Sequence, residues 1–139
     1  MTVESKYIHY YAGLKYQLAK DAWFKTGITG YSAKTELITL HNNGWLHIKR
    51  LYSWDGASGP TVDDKSSMRG SLVHDALYQL IRLQLIPRNC RSLADKELRK
   101  KCLADKMWKW RADSWYWFVR KFAGKAAHPD NKRKVYTAP

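Results

Sequence analysis

An adjacent histidine and aspartate, His74-Asp75, lie in the middle of an apolar segment with helical periodicity. Ionisable side chains in a core helix need partners, because burying them unpaired costs several kcal/mol. Tyr78 follows His74 by four residues, so the two side chains are neighbours on one helix face. A glycine-bearing loop, residues 54–64, precedes this helix. The loop and the His-Asp pair together predict a functional site.

Asp95, on a second predicted helix, can supply the carboxylate that a catalytic His74 needs. It precedes Leu98 and Cys102 by three and seven residues, which places it on the inward stripe of that helix. A carboxylate there can orient the imidazole and stabilise its protonated form. The alternative is that Asp95 only caps its own helix, in a capping box with Ser92. Such a cap stabilises by about 1 kcal/mol.

Asp75 is rotated by about 100° from His74 around the helix and can point toward the preceding loop. Beside the backbone carbonyl groups of residues 56–60, its carboxylate can hold a hard cation such as calcium. The structural alternative is simpler, because Asp55 and Asp64 are typical turn and helix N-terminal residues. Both interpretations remain open at this stage.

The elements that position these residues follow from periodicity and turn signals. Residues 35–41 and 45–51 are β-prone and flank Asn42-Asn43-Gly44, in which Asn and Gly supply the positive φ angles of a hairpin turn. The hairpin buries one face, and His41 and His47 on the other face are expected to be solvated. Residues 14–24 alternate in polarity, which favours another strand.

Three helices are predicted after the loop, over residues 66–85, 93–106 and 111–123. In the third helix, four residues are expected to face the core: Ala112, Trp115, Val119 and Phe122. Gly124 is expected to stop that helix. The predicted fold class is α+β, with an N-terminal antiparallel β-hairpin or small sheet followed by three packed helices. One globular domain, residues 1–124, is expected to precede a basic C-terminal tail, residues 125–139.

Composition narrows the class of protein. A hydrophobic fraction of 45% argues for a folded chain. No run approaches the roughly 20 apolar residues of a membrane span, and the first residues lack a secretory pattern. We therefore expect a soluble protein made in the cytosol. Cys90 and Cys102 match no zinc or redox spacing and do not form a disulfide scaffold.

A large positive charge favours an anionic partner, since 25 Lys and Arg residues oppose 12 Asp and Glu residues. Basic and aromatic residues alternate in one segment, which predicts a membrane or nucleic-acid surface formed by Lys106, Trp108, Lys109, Trp110 and Arg111. Lysine on phosphate with stacked tryptophan is how single strands are held. Lysine and tryptophan also suit an anionic membrane interface. A solvated surface that only aids solubility is the third interpretation.

The segment Gly56-Ala57-Ser58-Gly59-Pro60, with His74-Asp75-Ala76-Leu77-Tyr78 after it, resembles the calcium loop and active-site helix of phospholipase A2. The resemblance implies a helical core like that of the family, with His74 as general base on water and with Tyr78 and Asp95 as hydrogen-bonding support. It also implies a Ca²⁺ site formed by Asp75, Asp55, Gly56 and Ser58. The chain departs from the family in having fewer loop glycines, no disulfide framework, and a hairpin where the family has a helix.

Several motifs along the chain also resemble a family of small, functionally uncharacterised proteins of tailed phages and prophages: Asp55-Gly56-Ala57-Ser58, Val73-His74-Asp75, Ala94-Asp95 and Val119-Arg120-Lys121-Phe122. This resemblance implies a phage origin, synthesis in the host cytoplasm, and a virion or lysis-region role, without naming a reaction. Three hypotheses result. The chain is a phospholipase A2-like protein on an anionic phospholipid surface, a non-enzymatic virion component that docks on other phage structural proteins, or a nucleic-acid-binding protein.

Overall fold

The structure, a computed structural model, describes residues 2–11, 16–56, 64–129 and 137–139. Within these ranges the N-terminal half forms short strands: β1 (Tyr10–Tyr11), β2 (Tyr16–Leu18), β3 (Ala22–Lys25), β4 (Ala33–Lys34), β5 (Ile38–Leu40), β6 (Trp45–Ile48) and β7 (Ser53–Trp54). The C-terminal half forms helices: α1 (Met68–Arg82), α2 (Arg91–Ala104) and α3 (Lys109–Phe122), with 3-10 helices at Arg88–Cys90 and Ala123–Ala127. The predicted α+β class is confirmed.

The strands form two antiparallel sheets, with the orders β1-β2-β7 and β3-β6-β5-β4. The predicted hairpin is β5 and β6, and its alternation buries Ile38, Leu40, Leu46 and Ile48 on one face. Within the hairpin turn, Gly44 has a positive φ of 93°, whereas neither Asn42 nor Asn43 does. The expectation that an asparagine also takes a positive φ in this turn is therefore wrong.

Helix α1 lies at the centre of the protein, and its apolar side chains share one core with the inner faces of the sheets. The Trp54 indole of β7 donates a hydrogen bond of 3.0 Å to the Ser71 hydroxyl of α1, which fixes the end of the sheet against the helix. A second apolar cluster joins α2 and α3 through Leu98, Cys102 and Trp115. Because most of α1 is buried, its polar side chains need hydrogen-bond partners from neighbouring elements.

Two predictions about helix ends are wrong. Helix α2 begins at Arg91 and its N-terminus has no side-chain cap, so the capping box of Ser92 and Asp95 does not form. The Asp95 carboxylate instead turns toward α1. Helix α3 ends at Phe122, one residue before the predicted end, but Gly124 is not its left-handed stop, because the chain continues as the 3-10 helix and stays packed through the buried Ala127. The packed region therefore passes the predicted boundary at residue 124.

Phe122, expected in the core, is 59% exposed. The inward stripe of α3 is formed by Ala112, Trp115 and Val119, and it ends before the last turn. The Phe122 ring lies beside Phe118 instead, with ring centroids 5.0 Å apart.

Helices α1 and α2 approach closely at Gly70. A Cβ atom there would lie 2.6 Å from the Cys102 sulfur and 3.0 Å from the Leu98 carbonyl oxygen. We expect Gly70→Ala to lower the free energy of unfolding by about 1–3 kcal/mol, because overpacking outweighs the better helix propensity of alanine. Urea denaturation measures the change, and adding Cys102→Ala should recover part of the loss by removing the nearest clashing atom. A more stable Gly70→Ala protein would contradict this helix contact.

Candidate functional site

All three helices contribute to a hydrogen-bonded network around the fully buried Asp95 carboxylate. Its Oδ1 atom lies 2.6 Å from Nε2 of His74 and accepts a hydrogen bond of 2.6 Å from the Tyr78 hydroxyl. Its Oδ2 atom accepts a hydrogen bond of 2.8 Å from the Arg120 guanidinium. We call Asp95, His74, Tyr78 and Arg120 the Asp95 network. Three of the predicted site residues are thus brought together by helix packing.

The electrostatics of this network favour an ionised carboxylate. Burial by itself raises the pKa of Asp95, but the hydrogen bonds from His74, Tyr78 and Arg120 and the charge of His74 outweigh burial and lower the pKa. Burial and the hydrogen bond to Asp95 raise the pKa of Tyr78 well above its ordinary value, so its hydroxyl remains a donor. The buried carboxylate is therefore charged and surrounded by donors.

The His74 imidazole is held by one nitrogen and leaves the other open. Because Nε2 faces the Asp95 carboxylate, the neutral form of the ring would carry its proton there and its lone pair on Nδ1. Nδ1 makes no hydrogen bond with any residue that the structure describes. The side chain is 10% exposed, and its ring lies against that of Tyr78 with centroids 4.1 Å apart. This is the geometry of a base and its orienting carboxylate.

Two arginines of this region were not predicted from the sequence. Arg91 donates a hydrogen bond of 3.0 Å to the Tyr78 hydroxyl, and it also binds the carbonyl oxygens of Val119 and Arg120, at 2.6 and 2.9 Å. It thereby ties the start of α2 to the last turn of α3. A weak signal for Arg120 existed, since it directly follows the inward-facing Val119, and a buried Asp95 needs a cation.

The other two predicted site carboxylates, Asp75 and Asp55, influence the pKa of the buried Tyr52 hydroxyl. Burial raises the pKa of Tyr52 well above its ordinary value, and the charges of Asp75 and Asp55 raise it further, while Arg82 opposes them. Both carboxylates therefore act on Tyr52, a residue that no motif in the sequence singles out.

Part of the predicted calcium site, Ser58 with the rest of residues 57–63, lies outside the described residues. Gly56 is described and has a φ of 88°, in the left-handed region. In the described ranges, no three His, Cys, Asp or Glu side chains are arranged to hold a metal ion. Carboxylates are nonetheless hard donors of the kind that Ca²⁺ prefers, and backbone carbonyl groups commonly complete such a set. The donor chemistry at Asp75 and Asp55 fits this ion.

The predicted basic and aromatic segment lies at the start of α3. Trp108 and Trp110 are 71% and 64% exposed, and Lys106 is also exposed. Lys109 pairs with Asp113 one turn along the helix. Arg111 is half-buried and bonds to Asp64. None of the helices in the described part of the chain has the length and apolar character needed to cross a bilayer.

A second His-Asp pair lies on the outer face of the sheet, where both histidines were expected to be solvated. His41 is exposed as expected, whereas His47 has Nε2 2.8 Å from an oxygen of Asp21 and stacks on Trp23 with ring centroids 4.6 Å apart. The Arg50 amide donates a hydrogen bond to Asp21, and this bond is the main cause that lowers the pKa of the Asp21 carboxyl. Partial burial raises the same pKa but by less. This pair is a natural comparison for His74 and Asp95.

Comparison of the chain with protein-family models, with curated proteins and with solved structures finds no match. Function is therefore inferred from the geometry of the residues described above.

Proposed function

We propose that this chain is a phage-encoded, phospholipase A2-like hydrolase of phospholipid esters, dependent on calcium, with His74 as its general base. The observation that carries the proposal is the 2.6 Å contact between His74 Nε2 and the buried Asp95, with Nδ1 making no hydrogen bond to any described residue. A buried, correctly oriented histidine with one unused nitrogen is suited to accept a proton. The sequence motif around the site supports the choice of ester hydrolysis.

In the proposed reaction a water molecule lies at Nδ1 of His74. The imidazole takes one proton from this water as the water oxygen attacks the carbonyl carbon of the ester. The ring then carries a positive charge, which the Asp95 carboxylate stabilises through Nε2. The same proton passes to the departing alcohol oxygen as the ester bond breaks, which returns His74 to its neutral form. Tyr78 and Arg120 keep Asp95 fixed and ionised throughout.

Asp75 and Asp55, with carbonyl groups of the loop, are the residues proposed to hold the cation. When bound, calcium supplies positive charge against the oxyanion that develops on the substrate. Asp75 directly follows His74 in α1, so one helix turn presents both the base and a cation ligand. Their side chains serve different partners, since His74 faces Asp95 while Asp75 acts on Tyr52.

The test is fatty-acid release from phosphatidylglycerol vesicles, with added calcium or with a chelator. We expect the wild-type chain to release fatty acid only with calcium, and Asp75→Asn to abolish release while leaving the melting temperature in chelator nearly unchanged. Asp113→Asn, which removes a carboxylate of α3 outside the site, is the matched control and should retain activity. Absence of release by the wild type with calcium or another divalent cation would overturn the proposal in favour of a non-enzymatic role.

A further inference from the structure

Two clefts adjoin each other at Lys106, on a different part of the molecule from the Asp95 network. The larger cleft, of about 710 Å³, lies between the N-terminal arm and the ends of α1 and α2, with Lys6, Tyr7 and Lys65 in its walls. The smaller cleft, of about 350 Å³, is bordered by Trp108 and Trp110. We call the two clefts together the Lys106 groove. Asp105 borders it ten residues after Asp95, which corresponds to about 15 Å along α2.

The groove carries positive charge that is open to a ligand. Lys6, Lys65 and Lys106 are exposed, and none of them makes an ion pair within the described parts of the chain. The carboxylates in the walls are already engaged. Asp105 accepts a hydrogen bond of 2.9 Å from Arg69, and Asp64 is bound by Arg111. The cations that remain favour a ligand with several negative charges.

The groove also displays aromatic rings that the core does not use. Tyr7 is 80% exposed, and Trp108 and Trp110 are 71% and 64% exposed. The centroids of the two tryptophan rings lie only 6.2 Å apart, so they form one aromatic surface beside Lys106. Exposed rings next to lysines provide stacking faces and phosphate contacts at neighbouring points.

We propose that the Lys106 groove binds single-stranded nucleic acid, with phosphates on the lysines and unpaired bases on the rings. The spacing of cations and rings over two adjoining clefts suits an extended polyanion whose bases are free to stack. A membrane surface fits less well, because the clefts are concave and their walls contain the ion pairs of Asp64 and Asp105, which are costly to place in an apolar interface. This function is independent of the proposed hydrolysis.

The experiment measures binding of the full chain to a fluorescently labelled oligothymidylate by anisotropy, over a range of salt concentrations. We expect binding that weakens steeply with salt, and a loss of at least about tenfold in affinity for Trp108→Ala/Trp110→Ala, because base stacking is removed. Lys6→Gln/Lys65→Gln should lower the slope of log affinity against log salt by about 0.7 for each phosphate that the protein no longer neutralises. These side chains are exposed, so melting temperatures should stay close to that of the wild type.

The matched control is Trp117→Ala/Phe122→Ala, which removes two exposed rings of α3 that do not border the groove. It should bind the oligonucleotide like the wild type. Equal losses in the control pair and in Trp108→Ala/Trp110→Ala would overturn the assignment to this groove. The proposal would also be overturned if the chain does not bind the oligonucleotide at low salt. Binding of anionic vesicles through Trp108 and Trp110, without binding of the oligonucleotide, would be such a result.

Discussion

Replacing Asp95 by asparagine should lower the free energy of unfolding by about 3–5 kcal/mol. The carboxylate is fully buried and receives hydrogen bonds from three side chains, one of them the Arg120 guanidinium. Asparagine removes the negative charge and leaves that guanidinium without its counter-ion. It also turns an NH₂ group toward donors that need an acceptor. Urea denaturation at neutral pH measures the difference.

Asp75→Asn is the matched comparison, since it makes the same change on α1, outside the Asp95 network. We expect it to alter stability little in chelator, because the Tyr52 hydroxyl on which the charge of Asp75 acts stays neutral, and asparagine keeps the shape of the side chain. Similar losses in the two variants would contradict the separation of the two carboxylates into different clusters. A small loss in Asp95→Asn would mean that the network contributes little to folding.

Acid should reduce the difference in the free energy of unfolding between the wild type and Asp95→Asn. The pKa of Asp95 in the folded chain is below its ordinary value of 3.8. Its contribution to stability is therefore complete above that value and is lost as pH falls through the lowered pKa of the folded state. The two unfolding curves should approach each other below about pH 4.

His74→Ala should reduce the proposed fatty-acid release by about 10²–10⁴-fold, the usual contribution of a general base. The structure offers an internal control, because His47 also contacts a carboxylate, that of Asp21, but does so on the sheet. His47→Ala should therefore retain near wild-type release. The measurement is the rate per folded molecule, with folding checked by thermal melting of each variant.

Two outcomes would contradict the assignment of His74 as base. Equal losses in His74→Ala and His47→Ala would point to a general effect on stability, and an unchanged rate in His74→Ala would remove the base from the reaction.

Tyr78→Phe tests whether the hydrogen bond from Tyr78 to the Asp95 carboxylate contributes to the reaction. It deletes one donor to Asp95 without removing the base, so its loss should be smaller than that of His74→Ala.

The sequence alone was sufficient for the features that depend on local periodicity. The β5-β6 hairpin follows from alternation around Gly44, whose backbone has a φ that favours glycine. The helices follow from apolar spacing, with ends displaced by a few residues from those predicted. The meeting of His74, Tyr78 and Asp95 was also predictable, because helical phase places each on an inward face and burial requires a partner.

Only the tertiary structure decided which further groups meet these residues. Arg120 and Arg91 reach the network because α3 packs beside α2, and the spacing within one helix does not show which acidic side chain of another helix a basic residue will meet. Asp75 and Asp55 both influence the buried Tyr52, although Tyr52 lies 23 residues before Asp75 in the sequence. Such contacts depend on how distant segments approach in space, whereas the periodicity of one segment specifies only which of its faces is buried.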